Sequence, residues 1–310
     1  MGVSDNAKAD PVLSNFAHEV GPSQPIAIEG KRTRWNLNGS LESGAKVLPA
    51  PSGIVEYKPE EMIVTVRAGT TVQDLNSHLA SHQQRTSLPD RGGTVGGAIA
   101  VGHNDLHHLG RGPVRDAVLQ LRYISSEGRV ITCGGPVVKN VTGFNLHKLM
   151  VGSYGTLGLI AEATLRTNPI PSEQTWVKTT IDPKLILSIL LRPSAVLWDG
   201  TATWVHLEGY LADVDAQKTA LRKYGTLHEE DSAPELPACR WSLPPADLFN
   251  LDSLNIGRFV ASIGVGTVWA EHPQPIRTPD KGKQLIEKRM KQQFDPENRL
   301  NPGRLVGNWT

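Results

Sequence analysis

Residues 152–166 read Gly-Ser-Tyr-Gly-Thr-Leu-Gly-Leu-Ile-Ala-Glu-Ala-Thr-Leu-Arg, and the order of elements around them decides the fold class. The spacing GxxGxxG is that of a dinucleotide fingerprint, which in a doubly wound sheet follows a strand and opens a helix. Here a short helix over Asn145–Met150 precedes the glycines, and the alternation of Leu159–Arg166 predicts a strand after them. The order is reversed. A Rossmann sheet is excluded, and these glycines belong to a loop.

Two further clusters stand upstream: Gly92-Gly93-Thr94-Val95-Gly96-Gly97 and the turn at Gly30. Backbone N–H groups that hold a pyrophosphate must approach its oxygens more closely than a Cβ permits, and glycine supplies that approach together with positive φ. Taken singly, each cluster also reads as a tight turn, and GSYGTLG as a helix C-cap leading into a strand. The crowding of two of the three within residues 92–158 indicates an anion- or cofactor-binding loop system.

Around the glycines the pattern is mixed. Pro25–Ile28, Ile54–Tyr57 and Met62–Arg67 read as strands, the last two paired across a Lys58–Glu61 turn. Thr71–His82 predicts a helix, with Thr71 as cap and Val72, Leu75 and Leu79 on one face. Ala117–Ser125 and Arg129–Thr132 predict a hairpin around Ser-Glu-Gly. Proline then recurs at 169, 171, 183 and 193, and Pro-x-Pro suits a linker, so a boundary falls near Asn168–Ser172. Beyond it, strand Trp176–Ile181, helix Asp182–Leu191, and strands Ala195–Trp198 and Thr203–Leu207 are followed by a helix ending at Gly225. That alternation predicts a small α/β cap. A last helix spans Asp280–Phe294. The chain is therefore expected to divide into an N-terminal segment 1–24, a main domain 25–171, a cap 172–279 and a returning tail 280–310.

Composition narrows the function. With 32 Lys and Arg against 31 Asp and Glu, the chain has no basic field for nucleic acid. The two cysteines, Cys133 and Cys239, cannot by themselves hold zinc or an iron–sulfur cluster, and they fit a reducing compartment. No stretch approaches the ~20 apolar residues of a membrane span, and the first residues lack the apolar core of a secretory signal, so a cytoplasmic protein is expected. His103-Asn104-Asp105-Leu106-His107-His108 has i, i+4 histidines, but Gly102 and Gly110 argue for a polar loop rather than a metal-binding helix. His206, His228 and His272 lie far apart and form no metal motif.

Four segments together resemble one family. VRAGTTVQDLNSHLASHQQ, GGTVGGAIAVG, the run from GPVRDAVLQLRYISSEGRVITCGG through MVGSYGTLGLIAEATLR, and the tail MKQQFDPENRLNPGRL are similar to GlcE-type glycolate oxidase subunits. Those subunits belong to the wider family with a vanillyl-alcohol-oxidase (PCMH) type FAD-binding domain. The resemblance covers Pro25–Pro171 and the last 30 residues well, and the middle weakly. It implies an α+β fold, a two-lobed FAD domain with a small α/β cap. It places Gly30, Lys31, Arg32 and Thr33 in the pyrophosphate loop, where many relatives have several glycines and this chain has one. Gly93, Thr94, Gly96, Gly97 and Ala98 would wrap the ribityl and pyrophosphate region. Gly155, Thr156, Gly158 and Ile160 would close from the second lobe, with Asn301 of the tail returning near the flavin ring. Neither His nor Cys stands in the pyrophosphate loop, which implies noncovalent FAD.

Oxidising a 2-hydroxy acid takes a cation for the carboxylate, a base for the hydroxyl proton and a flavin within reach. Lys139, in Lys139-Asn140-Val141-Thr142-Gly143-Phe144, is the catalytic candidate that the resemblance offers; as plain sequence it is a surface charge. Phe144 stands where a tyrosine is commoner. The implied role is the FAD-binding subunit of a glycolate-oxidising assembly. Its partners would be a larger FAD-containing subunit and an iron–sulfur subunit, with any membrane contact made through them. Two other readings stay open: a free-standing FAD dehydrogenase of another hydroxy acid or alcohol, and a scaffold that has lost its flavin.

Overall fold

A computed structural model describes residues 10–37, 39–136, 145–251, 254–275 and 280–304. They fall into two compact units, one within Met1–His103, Pro113–Pro169 and Pro279–Asn308, the other within Asn104–Gly112 and Ile170–Thr278.

The first unit begins with a helix, α1 (Pro11–Val20), inside the stretch expected only to lead into the main domain. Asp10 caps it by accepting from the Val12 and Leu13 amides, Pro11 occupies the first turn, and Leu13, Phe16, Ala17 and Val20 form its buried stripe. Next come β1 (Ile26–Glu29) and β2 (Lys46–Pro49), a parallel pair. An antiparallel six-stranded sheet follows, built from β3 (Ile54–Lys58), β4 (Ile63–Arg67), β5 (Gln84–Thr86), β6 (Val118–Ile124), β7 (Val130–Gly134) and β8 (Leu159–Pro169). Its order is β3-β4-β8-β6-β7, and β5 pairs with the far end of β8. Helices α2 (Val72–Ala80) and α3 (Val95–Val101) connect these strands.

Central strand β8 is buried along both faces, and its register explains how. Arg122 pairs with Glu162 but Tyr123 with Ile160, so β8 carries one extra residue at Ala161. A one-residue slip exchanges the faces of a strand. Leu159 and Ala161 accordingly pack with α1, whereas Ala163 and Leu165 pack with α2 and α3. Glu162 meets Arg67, Arg122 and, through them, the capping Asp10.

The C-terminal helix Lys281–Phe294 leads the chain back to β1. The Ile26 amide donates to the Arg299 carbonyl and the Asn301 amide to the Ile26 carbonyl, each at 2.8 Å. Arg299, buried, donates to the carbonyls of Val20, Gly21, Gln24 and Ser126. Lys291 donates to the carbonyl of Thr156 at 2.9 Å and pairs with buried Asp295. These bonds fix Asn301 beside the glycine loop.

The second unit is a seven-stranded antiparallel sheet of β9 (Glu173–Thr179), β10 (Ala195–Trp198), β11 (Thr203–Gly209), β12 (His228–Glu230), β13 (Cys239–Ser242), β14 (Phe259–Ser262) and β15 (Thr267–Ala270). Its order is β12-β9-β11-β10-β14-β15-β13. Helices Pro183–Ile189 and Leu211–Arg222 supply Ile186, Val214 and Leu221 to one face. The other face carries Trp176, Trp204 and Trp269. Sequence patterning missed β13, β14 and β15, each four residues long.

Candidate functional site

In the first unit a groove runs between the loop after β1, the start of α3 and the loop entering β8. It has two contiguous parts that share Ile28, Gly30, Thr94, Gly97, Ala100 and Asn301. One part adds Lys31, Arg32, Thr33, Arg34, Trp35, Val101, Tyr154 and Arg304, and the other Glu29, Ala50, Ala68, Gly96, Gly155, Leu159 and Ile160. Its wall is apolar at Ile28, Ala100, Leu159 and Ile160, and cationic at its other end.

Glycine is required at specific points of this lining. A Cβ at Gly30 would lie 2.4 Å from Thr94 Oγ1, so the loop after β1 can lie against the α3 cap only without a side chain. Gly155 has φ +70°, and a Cβ there would lie 2.3 Å from Asn301 Nδ2. Arg32, Tyr154 and Asn301 also line the groove in left-handed backbone, at φ +53°, +53° and +45°. Non-glycine residues rarely adopt that region, and such positions gather at ligand clamps.

Sequence-expected residues divide here. Gly30, Lys31, Arg32, Thr33, Thr94, Gly96, Gly97, Gly155, Ile160 and Asn301 line the groove. Gly93, Ala98, Thr156 and Gly158 line neither part. Gly93 makes room for other groups: a Cβ there would stand 2.8 Å from Arg34 Nη2 and 3.0 Å from Thr33 Oγ1. Ala98 is fully buried in the sheet–helix core. Thr156 is fully buried, with its hydroxyl donating to the Ser153 carbonyl. Gly158 lets β8 pass the Tyr123 ring, which a Cβ would meet at 2.4 Å.

Within the stretch expected to wrap the ribityl and pyrophosphate region, the amides at the start of α3 make bonds inside the protein. Val95 N–H donates to Thr70 O at 2.8 Å, Gly96 N–H to Ala68 O at 2.8 Å, Gly97 N–H to Thr94 Oγ1 at 3.2 Å and Ala98 N–H to Thr94 O at 2.8 Å. These donors are already engaged by protein.

The cationic end holds residues that the sequence did not single out. Trp35 meets two guanidinium groups, those of Arg32 and Arg304, each 4.8 Å from its ring centroid. Arg32 pairs with Glu29, and Arg304 Nη1 donates to Leu37 O at 3.2 Å. Arg34 differs. Both its terminal nitrogens are buried without a hydrogen-bond partner among the described residues. Burial, and secondarily the charge of Arg91, holds its pKa below the usual arginine value.

Other predicted residues lie elsewhere. Lys139 and the segment through Phe144 fall outside the described residues. In the second unit His107 packs on Trp176 and on buried His206, ring centroids 5.8 and 4.5 Å apart. Its loop therefore belongs to this sheet, held by the Gly110 amide on Ser194 O at 3.1 Å. His228 lies exposed on β12, and the His272 carbonyl accepts from Trp241 Nε1. Among the described residues no group of three His, Cys, Asp or Glu could hold a metal ion. None of the described helices is long and apolar enough to cross a membrane.

Residues 17–134 match the FAD binding domain family. Glycolate oxidase subunit GlcE of Escherichia coli (strain K12) is 30% identical over 221 residues, 68% of this chain and 63% of GlcE. D-lactate dehydrogenase of Archaeoglobus fulgidus is 32% identical over 53% of this chain and 37% of its own length. The chain thus spans less than two thirds of either relative. Among solved structures, alkyldihydroxyacetonephosphate synthase superposes with a TM-score of 0.66 at 15% identity, covering 95% of this chain and 75% of that one. At that identity the likeness is one of fold: the α+β, PCMH-type FAD-binding architecture.

Proposed function

We propose, for a chain whose residues 17–134 belong to the FAD binding domain family, that it holds FAD noncovalently in the groove of the first unit and serves as a flavin-bearing subunit in the oxidation of a small 2-hydroxy acid, glycolate in the first instance. The observation that carries this reading is the groove itself. Gly30 and Gly155 let its walls close up where a Cβ would strike Thr94 and Asn301, Gly97 leaves its floor without a side chain, its wall is apolar at one end, and Arg34 and Arg304 stand at the other. A dinucleotide with an anionic centre and flat apolar ends suits such a lining.

Bound FAD supplies the acceptor for the two electrons of the alcohol. The chain's residues hold and orient it: Gly30 and Thr94 set the groove's width, and Asn301 braces the loop at Tyr154 and Gly155. Lys139 is retained as a candidate for the substrate carboxylate, outside the described residues. With two cysteines, an iron–sulfur cluster for onward electron transfer would sit on another chain. We therefore assign partners to the assembly: a larger FAD-containing subunit and an iron–sulfur subunit, in the cytoplasm or at the membrane's inner face.

Purification of the chain alone and with those partners tests this. The expected outcome is a yellow protein that releases intact FAD on denaturation and is bleached by glycolate only in the assembly. A folded, colourless protein that takes up no FAD would overturn the flavin role. Bleaching of the isolated chain would instead make it a free-standing dehydrogenase.

A further inference from the structure

We propose that Arg34 is the anion anchor of the groove: its guanidinium takes the diphosphate of the bound dinucleotide, so a side-chain charge here does what glycine amides do in other phosphate loops. The inference rests on the flavin reading for the ligand's name, but on Arg34's own surroundings for its chemistry. Nη1 and Nη2 are both buried, and neither has an acceptor among the described residues. A buried cation without a counter-charge is costly to the fold and persists where a ligand supplies one.

The neighbours deepen the deficit. Arg91 is a second cation acting on Arg34. Glu29, on the same groove, is paired with Arg32. Gly93 leaves the space that Nη2 occupies, since a Cβ there would approach within 2.8 Å. The amides of Val95, Gly96, Gly97 and Ala98 at the start of α3 are bonded to protein and supply no counterpart to the Arg34 charge. A planar guanidinium can make paired bonds to a phosphate, and that geometry compensates for a loop with a single glycine.

The shared chemistry is an anionic diphosphate, which FAD, ADP and inorganic pyrophosphate all carry and riboflavin does not. The test titrates each of the four into the full chain, freed of flavin, as wild type, Arg34→Met and Arg34→Lys, and measures the unfolding temperature of each without ligand. Loss of a desolvated charge pair predicts roughly 30-fold or weaker binding of FAD and ADP to Arg34→Met, with Arg34→Lys in between. Riboflavin binding should not change. Without ligand, Arg34→Met should unfold at the wild-type temperature or above it, because an uncompensated buried charge has gone. A structural arginine would do the reverse, and a lower unfolding temperature would overturn the assignment. Unchanged FAD affinity in Arg34→Met would overturn the anchor and leave the flavin reading intact. Arg34-dependent binding of ADP or pyrophosphate with no uptake of FAD would do the opposite. If wild type binds none of the phosphates, the anchor falls.

Discussion

Asn301 donates through Nδ2 to the Tyr154 carbonyl at 2.9 Å, and both residues hold left-handed backbone. The bond joins the tail to the glycine loop. Asn301 also donates its amide to Ile26 of β1, so one residue ties three segments around the groove. Gly155 is the concession that permits it, since any Cβ there would overlap Nδ2.

Asn301→Ala should therefore be destabilising in two ways. Left-handed backbone costs an ordinary L-residue about 1–2 kcal/mol more than asparagine or glycine, and the lost hydrogen bond costs about 1 kcal/mol. Asn301→Gly keeps the backbone freedom and should lose only the smaller part. Urea unfolding of the two variants checks this, and equal losses would show that backbone strain is not what selects asparagine.

The two thiols should behave differently. Cys133 lies buried in β7, and desolvation pushes its pKa up to about 12, so almost none is thiolate at neutral pH. Cys239 is partly exposed. Native protein should react quickly with one equivalent of an aromatic disulfide reagent, and with the second only as it unfolds. Rapid native modification of Cys133→Ser would be normal; rapid modification of Cys239→Ser would contradict this burial.

Much of this was legible in the sequence. Glycine order excluded a Rossmann sheet, and the strand after GSYGTLG is β8. The buried stripe Leu13, Phe16, Ala17 and Val20 behind Asp10-Pro11 is equally legible, being an ordinary capped amphipathic pattern. Short β13–β15 lack the length that makes alternation readable. Arg34 was legible only as one of several cations in the loop after β1. In Lys31-Arg32-Thr33-Arg34 every charge looks equally solvated, and only the tertiary position of Gly93 buries one of them. The glycines at the start of α3 show the converse limit: the sequence marks a close approach but not what approaches, and at Gly96 it is Ala68.

Acid should expose the role of Asp10. Burial works to raise its pKa, but the Arg67 bond, the Leu13 amide and the charges of Arg67 and Arg122 outweigh it, so the folded pKa lies below the unfolded one. Folded protein then binds fewer protons than unfolded, and stability rises with pH. The contribution is complete above the unfolded value near ~4 and is lost as pH falls through the folded pKa. Urea midpoints measured from neutral pH down to about 3 should fall less steeply in Asp10→Asn than in wild type. Parallel curves would remove Asp10 from the acid response.

Gly96 and Gly97 are adjacent, alike in sequence and expected to fail differently. A Cβ at Gly96 would stand 2.6 Å from Ala68 Cβ and 3.1 Å from its carbonyl oxygen, so Gly96→Val must push α3 off β4. Overpacking of that kind costs about 1–3 kcal/mol. At Gly97 a Cβ meets only Thr94 Oγ1, at 3.2 Å, and otherwise projects into the groove that Gly97 lines in both parts. Within a helix, Gly97→Ala gains up to about 1 kcal/mol of propensity. Its flavin-free form should match or exceed wild-type stability while its flavin-to-protein absorbance ratio falls. Gly96→Val should lose stability first, and flavin only as a consequence. If Gly97→Ala retains flavin fully, the ligand does not pass over α3, and the groove assignment has to move.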